Sequence, residues 1–154
     1  MSTTSGFDDR VTICLAIESV ELTPSELTTR LGVRPDREWL IGAVRGKTGK
    51  HWDRNGWVVE TTVRSEDSGG RSASELIPIA MERFASKVEP FAKTASSLGS
   101  SAQRYAVLAI LAEDVPGIEL NHSFLQLLND LGGTFQIDLR TQPLRPVGAD
   151  IQPA

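Results

Sequence analysis

Between Gln103 and Ala112 the chain sets Tyr105, Val107, Ala109 and Leu111 against Ala106, Leu108, Ile110 and Ala112, so an extended segment here is apolar on both sides. Such a strand does not suit the wet edge of a sheet. It needs paired neighbours and cover over both faces, so it is expected to be a central strand. The other strands must be found around it. In Arg10–Ser19, Val11, Ile13, Leu15 and Ile17 form one apolar side, while Thr12, Cys14 and Ala16 make the other side small. Trp57–Val63 reads as a further strand, followed by a Ser/Asp/Gly turn at 65–70. In the last strand Phe135, Ile137 and Leu139 are expected to point inward, with Gln136, Asp138 and Arg140 facing solvent.

The helices are marked by their ends. Thr23-Pro24-Ser25-Glu26 combines a capping hydroxyl, a proline suited to the first turn and a glutamate able to return a hydrogen bond, and Gly32 can end the short helix that follows. Ser72-Ala73-Ser74-Glu75 offers caps for a longer helix with Ile77, Ala80, Phe84, Val88, Phe91, Ala95 and Leu98 on its apolar stripe. Pro78 falls in its first turn, and Pro90 predicts a kink or restart. Asn121 caps a third helix with Phe124, Leu125, Leu128 and Leu131 on one side, ended by Gly132-Gly133.

At 154 residues the chain has the size of one domain. Residues 1–9 read as a flexible N-terminus, 10–141 as a single α+β domain and 142–154 as a flexible, proline-rich tail. The expected architecture is a ferredoxin-like two-layer sandwich in which two βαβ units, joined by the long kinked helix, share one mainly antiparallel sheet. The additional helix would cover the second face or an edge.

The net charge of −4 argues against nucleic acid as a partner, and no apolar run approaches the roughly 20 residues of a membrane-spanning helix. The first ten residues lack the apolar centre of a signal peptide, and the single cysteine, Cys14, forms no internal disulfide; both suggest a cytoplasmic protein. Cys14, His51 and His122 have no close spacing, so no metal site is expected, and no cofactor is implied. Gly42-Ala43-Val44-Arg45-Gly46-Lys47-Thr48 is one residue short of a phosphate-binding loop and lacks a helix-forming sequel; it reads as a basic glycine-rich loop. No Gly-x-Ser-x-Gly elbow occurs, and no catalytic residue is assigned.

Charge and tryptophan concentrate in the long irregular stretch between the first helix and second strand. Arg34, Arg37, Arg45, Lys47, Lys50 and Arg54 against Asp36, Glu38 and Asp53 give residues 34–54 a charge of +3, leaving −7 on the remainder. All three tryptophans, Trp39, Trp52 and Trp57, belong to this stretch or its boundary. Tryptophan and arginine are frequent anchors of recognition surfaces, so Trp39, Arg45, Lys47, Lys50, His51, Trp52 and Arg54 are the candidate binding residues. The plainer reading makes Trp39 and Trp57 core plugs at the two ends of a solvated loop.

The ordered segments Leu22-Thr23-Pro24-Ser25-Glu26-Leu27-Thr28, Leu31-Gly32-Val33-Arg34-Pro35, Trp39 before Gly42 and Trp57 at a strand start resemble the bacterial "domain of unknown function 4279" family. Pro90, Phe124-Leu125-Gln126-Leu127-Leu128, Leu131-Gly132 and Gln136-Ile137-Asp138-Leu139 extend the resemblance over roughly Val11 to Arg140. The resemblance implies a small bacterial domain with no established activity, cofactor or catalytic residues. Gly32, Pro35, Trp39, Gly42 and Trp57 are the matched positions, and they frame the long loop.

The preferred expectation is a noncatalytic interaction module, immunity-like by analogy, that uses loop 34–57 to bind an acidic protein partner. A homodimer through a sheet edge or the long helix is a further expectation. The alternative is a sensor of a small anionic or aromatic ligand stacked on tryptophan. An enzyme using Glu113 and Asp114, or His51, is the least favoured reading, because nothing in the sequence assembles an acid, a base and an oxyanion stabiliser.

Overall fold

The computed structural model describes residues 8–141, and the expected terminal tails lie outside them except at Asp8 and Asp9. The strands are β1 (Arg10–Ser19), β2 (Arg37–Trp39), β3 (Asn55–Arg64), β4 (Gln103–Ala112) and β5 (Thr134–Thr141). The helices are α1 (Pro24–Leu31), α2 (Ala73–Val88), α3 (Ala92–Ser97) and α4 (His122–Leu131). Pro78 lies inside α2, in its second turn and not the expected first, and a tight turn over Glu89–Phe91, with Pro90 at its start, separates α2 from α3. The missing proline N–H explains the interruption.

One five-stranded sheet runs in the order β2-β3-β1-β4-β5. All neighbouring strands are antiparallel except β4 and β5, which run parallel. The class is therefore mixed α+β, but the order is not that of a simple ferredoxin-like sandwich. The departure is at one edge, where α4 carries the chain to a fifth strand parallel to β4. A parallel pair needs such a crossover, since no tight turn can reverse the chain twice. Elsewhere the short β2 enters between α1 and β3, so β1 and β3 are antiparallel neighbours and not the parallel pair of a βαβ unit.

Burial divides the sheet into unlike faces. Val11, Ile13, Leu15 and Ile17 of β1, Trp57, Val59 and Val63 of β3, and Leu108 and Ile110 of β4 join one core with Leu76, Ile77, Phe84 and Val88 of α2. Leu27 and Leu31 of α1 and Phe124, Leu127 and Leu131 of α4 enter that same core. Phe124 meets both Phe84 and Phe135 edge-on, at centroid distances of 6.1 and 5.9 Å. Thus α4 lies beside α2 and α3 and leaves the second sheet face uncovered, contrary to the expected cover. Tyr105, Val107, Ala109 and Leu111 on that face are only half-buried. On β5, Ile137 and Leu139 occupy the core side by register but are 46% and 38% exposed; only Phe135 packs against the core.

Polar clasps fix the ends of this layer. Thr23 and Asn121 cap α1 and α4 as expected, accepting from the N–H groups of Glu26 and Phe124. At α2 the Ser72 side chain makes no capping bond. Asp9, next to the start of β1, does that work: one carboxylate oxygen accepts from Ala73 N–H at 2.9 Å and the other from Glu113 N–H at 3.1 Å. Asp8 accepts from Glu66 N–H and pairs with Arg64. At the opposite end, the Arg104 guanidinium donates to the carbonyls of Gly99, Ala102, Leu131 and Gly132. Gly133 passes so close that a Cβ there would lie 2.1 Å from the Arg104 carbonyl oxygen.

Asp9→Ala should cost about 1–2 kcal/mol, the usual value of a lost helix cap, whereas Ser72→Ala should be nearly neutral. Urea unfolding of the two variants measures the difference, and equal losses would contradict the assignment of the cap to Asp9.

Candidate functional site

Register places the predicted tryptophan loop over the uncovered face. Ile17 points into the core, so its neighbour Glu18 points away; Glu18 stands opposite Gly56, and Gly56 opposite Trp39. Trp39 therefore lies on the open face. Its indole rests on the Gly56 backbone so closely that an added Cβ would sit 1.9 Å from the ring. Glycine is required here by proximity.

The short strand carrying Trp39 is pinned by Asp36. Asp36 N–H donates to Val58 carbonyl at 2.8 Å, and its carboxylate accepts from Glu60 N–H at 2.8 Å and from Lys87 Nζ at 2.7 Å. Burial alone would raise the Asp36 carboxyl, but the Lys87 and Glu60 hydrogen bonds, with the charges of Lys87 and Arg37, outweigh it and hold the group below its ordinary value. Beyond Trp39, Asn55 fixes the loop: its Oδ1 accepts from Ile41 N–H while its Nδ2 donates to Leu22 carbonyl. Asn55 is buried, and both ends of its amide are satisfied.

The loop is not irregular throughout. Gly42 N–H donates to Trp52 carbonyl, Trp52 N–H to Ala43 carbonyl and Arg45 N–H to Lys50 carbonyl, forming a small antiparallel ribbon with a bridge between Val44 and His51. His51 Nδ1 lies 2.8 Å from Gly42 carbonyl, so its ring helps hold the ribbon. Thr48 closes the tip through its hydroxyl, which donates to Arg45 carbonyl. No helix starts there, which agrees with the plain reading of the glycine-rich segment.

The ribbon returns Trp52 onto Trp39. Their ring centroids are 4.0 Å apart with planes 18° from parallel, and the Arg45 guanidinium carbon lies 4.5 Å above the Trp52 ring. The Arg45–Trp52 distance is suited to cation–π attraction. Arg45, Trp52 and Trp39 thus form a three-layer stack on the sheet. Lys47 and Lys50 are exposed near the tip, and Arg54 is half-buried between Trp52 and β3. Among the described residues, none of Arg45, Lys47, Lys50 and Arg54 makes a salt bridge. Trp39 Nε1 is buried and has no hydrogen-bond partner among them. Trp57, by contrast, is fully buried on the core side, edge-on to Phe91, and donates its Nε1 proton to Thr28 Oγ1. It is the core plug of the plainer reading; Trp39 is not.

Sequence reasoning missed the floor beside this stack. Glu18 and Tyr105 meet across the open face, the phenol donating to Glu18 Oε1 at 2.5 Å. Burial, then the hydrogen bond to Glu18 and its negative charge, push the Tyr105 hydroxyl far above its ordinary value, with Arg45 opposing weakly. Period-two alternation puts Glu18 and Tyr105 on the non-core side of their strands, but only pairing register brings them together. Cys14, farther along the same face, has its thiol raised chiefly by burial.

Glu113 and Asp114 lie elsewhere. They follow β4 at the end that pairs with Arg10, whereas the tryptophan stack is at the Glu18 end, about 27 Å away along the strands. Glu113 and Asp114 line a groove of about 230 Å³ with Asp9, Arg71, Ser72 and Ser74. His51 is on the ribbon, so the structure does not bring these residues into one constellation. Among the described residues no group of three potential ligands could hold a metal ion, and no helix is long and apolar enough to cross a membrane.

These features define a two-layer α+β domain with helices on one sheet face and an aromatic–cation platform on the other. The family model described as Domain of unknown function (DUF4279) matches residues 9–142, and the chain belongs to that family. No curated protein and no solved structure matches the chain.

Gly56→Ala should lift Trp39 from the sheet and separate the indoles. The expected result is loss of the paired-tryptophan signal in circular dichroism with the α-helical signal retained; an unchanged spectrum would contradict the close contact. Because Asp36 is held below its ordinary value of 3.8, its contribution to stability is present above that pH and disappears as pH falls through the lower folded value. Asp36→Asn should therefore unfold at lower urea than the native chain near neutrality, with the difference closing in acid.

Proposed function

We propose that this chain is a noncatalytic interaction module that binds an acidic partner protein through the Arg45–Trp52–Trp39 platform. The carrying observation is the stack itself, with its guanidinium over a tryptophan and no salt bridge to satisfy it among the described residues. Three further cations on the same loop favour acidic groups, while the negative remainder of the chain repels them and so directs docking to this surface. Four grooves among the described residues are lined by neither Trp39 nor Trp52, and the exposed ribbon that carries the stack suits a broad partner better than an enclosed small molecule. We read the order β2-β3-β1-β4 as a ferredoxin-like split arrangement extended by α4 and β5, and place the protein in a reducing cytoplasm on account of its lone cysteine.

A polyglutamate peptide is a direct probe, because Trp39 and Trp52 report on their own surroundings by fluorescence. Titration should change that fluorescence, added salt should weaken binding, and the combined variant Arg45→Glu, Lys47→Glu and Arg54→Glu should abolish it. Undiminished binding by the folded variant would overturn the reading. Benzoate serves as the small-ligand control: a saturable response to benzoate, with none to the peptide, would favour the sensor alternative.

A further inference from the structure

We propose that this chain pairs with a second copy of itself through the outer edge of β5, joining two sheets into one across a twofold axis. The two edges of the sheet differ. On one side β2 is three residues long, carries Arg37 and Glu38, and is flanked by the Asp36–Lys87 ion pair. Short, charged edges resist further pairing. On the other side β5 runs for eight residues and, among the described residues, pairs only with β4. Its free edge offers backbone donors and acceptors, and Ile137 and Leu139 present apolar surface beside it, 46% and 38% exposed.

Symmetry and charge together select one register. A twofold axis perpendicular to the sheet pairs the two β5 strands antiparallel and keeps the helices of both copies on one face, so residues of the same side oppose each other. With Leu139 opposite the partner's Leu139, Asp138 faces the partner's Arg140, and the same contact recurs on the other side of the axis. Ile137 then stands opposite the partner's Thr141. Sliding to the next same-face register in one direction opposes Asp138 to the partner's Asp138; sliding the other way opposes Arg140 to the partner's Arg140. Like charges directly opposed destabilise strand pairs, and a one-residue slip would set apolar against charged sides. Within one chain Asp138 and Arg140 are already 3.5 Å apart, so the dimer extends an existing pair into a four-charge row.

Sedimentation of the full chain at increasing concentration tests this. The native chain should reach twice its monomer mass. Asp138→Arg and Arg140→Asp should each weaken dimerisation by about tenfold, because two symmetric contacts become repulsive. Asp138→Arg with Arg140→Asp in one chain should restore it, and Leu139→Asp should abolish it while leaving the far-ultraviolet spectrum of the monomer unchanged. Restoration by the double exchange is an outcome that a merely structural effect of either side chain would not produce. A full chain that stays monomeric overturns the proposal, whether residues 142–154 or another protein covers the edge. A dimer indifferent to all four variants overturns it as well, by moving the interface elsewhere.

Discussion

Four helices packed on a single side of one sheet are the condition from which the other features follow. Ile13, Leu15, Leu108 and Ile110 are fully or almost fully buried because α2 and α4 lie over them, with Phe84 and Phe124 edge to face between those helices. Water is excluded there, and the hydrophobic gain is concentrated there. The reverse side must then manage with side chains alone. Small residues on β1, the Glu18–Tyr105 pair and the folded-back tryptophan ribbon are what the chain supplies. The platform is in this sense the partial roof of an unlayered sheet, and its aromatic surfaces remain available because no helix competes for the space.

Much of the scaffold was legible in local pattern. Alternation identified β1 and β4, capping residues placed α1 and α4, and Pro90 marked the division between α2 and α3. The short β2 escaped notice because Arg37-Glu38-Trp39 has no repeating apolar pattern; it exists through pairing with Val58, Trp57 and Gly56 and through the Asp36 clasp. The apolar second side of β4 suggested more cover than it receives, since alternation reports the character of a side chain and not the presence of a neighbour. The same limit applies to Ile137 and Leu139, whose side of β5 was correctly read but whose burial depended on where α4 ended up.

The candidate site was legible as a set of residue types but not as a geometry. Tryptophan and basic residues concentrated in one loop drew attention to Trp39, Trp52 and Arg45, and the structure stacks these three. His51 is engaged in holding the ribbon together, while Glu18, Tyr105, Asn55 and Gly56 gain their roles only through long-range pairing. Asp9 illustrates the same point at the other end of the sheet. Its place in an expected flexible N-terminus gives no hint of a role, which comes only when the fold brings the N–H groups of Ala73 and Glu113 within reach.

The position of β1 also bears on how the polypeptide is made. Of the described strands, the first to emerge during synthesis becomes the middle of the sheet, with β3 on one flank and β4 on the other, and Arg10 eventually meets Leu111. A nascent chain ending before Gln103 leaves one flank of an Ile- and Leu-bearing strand without its mate. Pairings that span so much sequence close slowly, and an open flank of this composition invites the wrong neighbour. The interval before β4 has been translated is thus when this protein most needs shelter from its own kind.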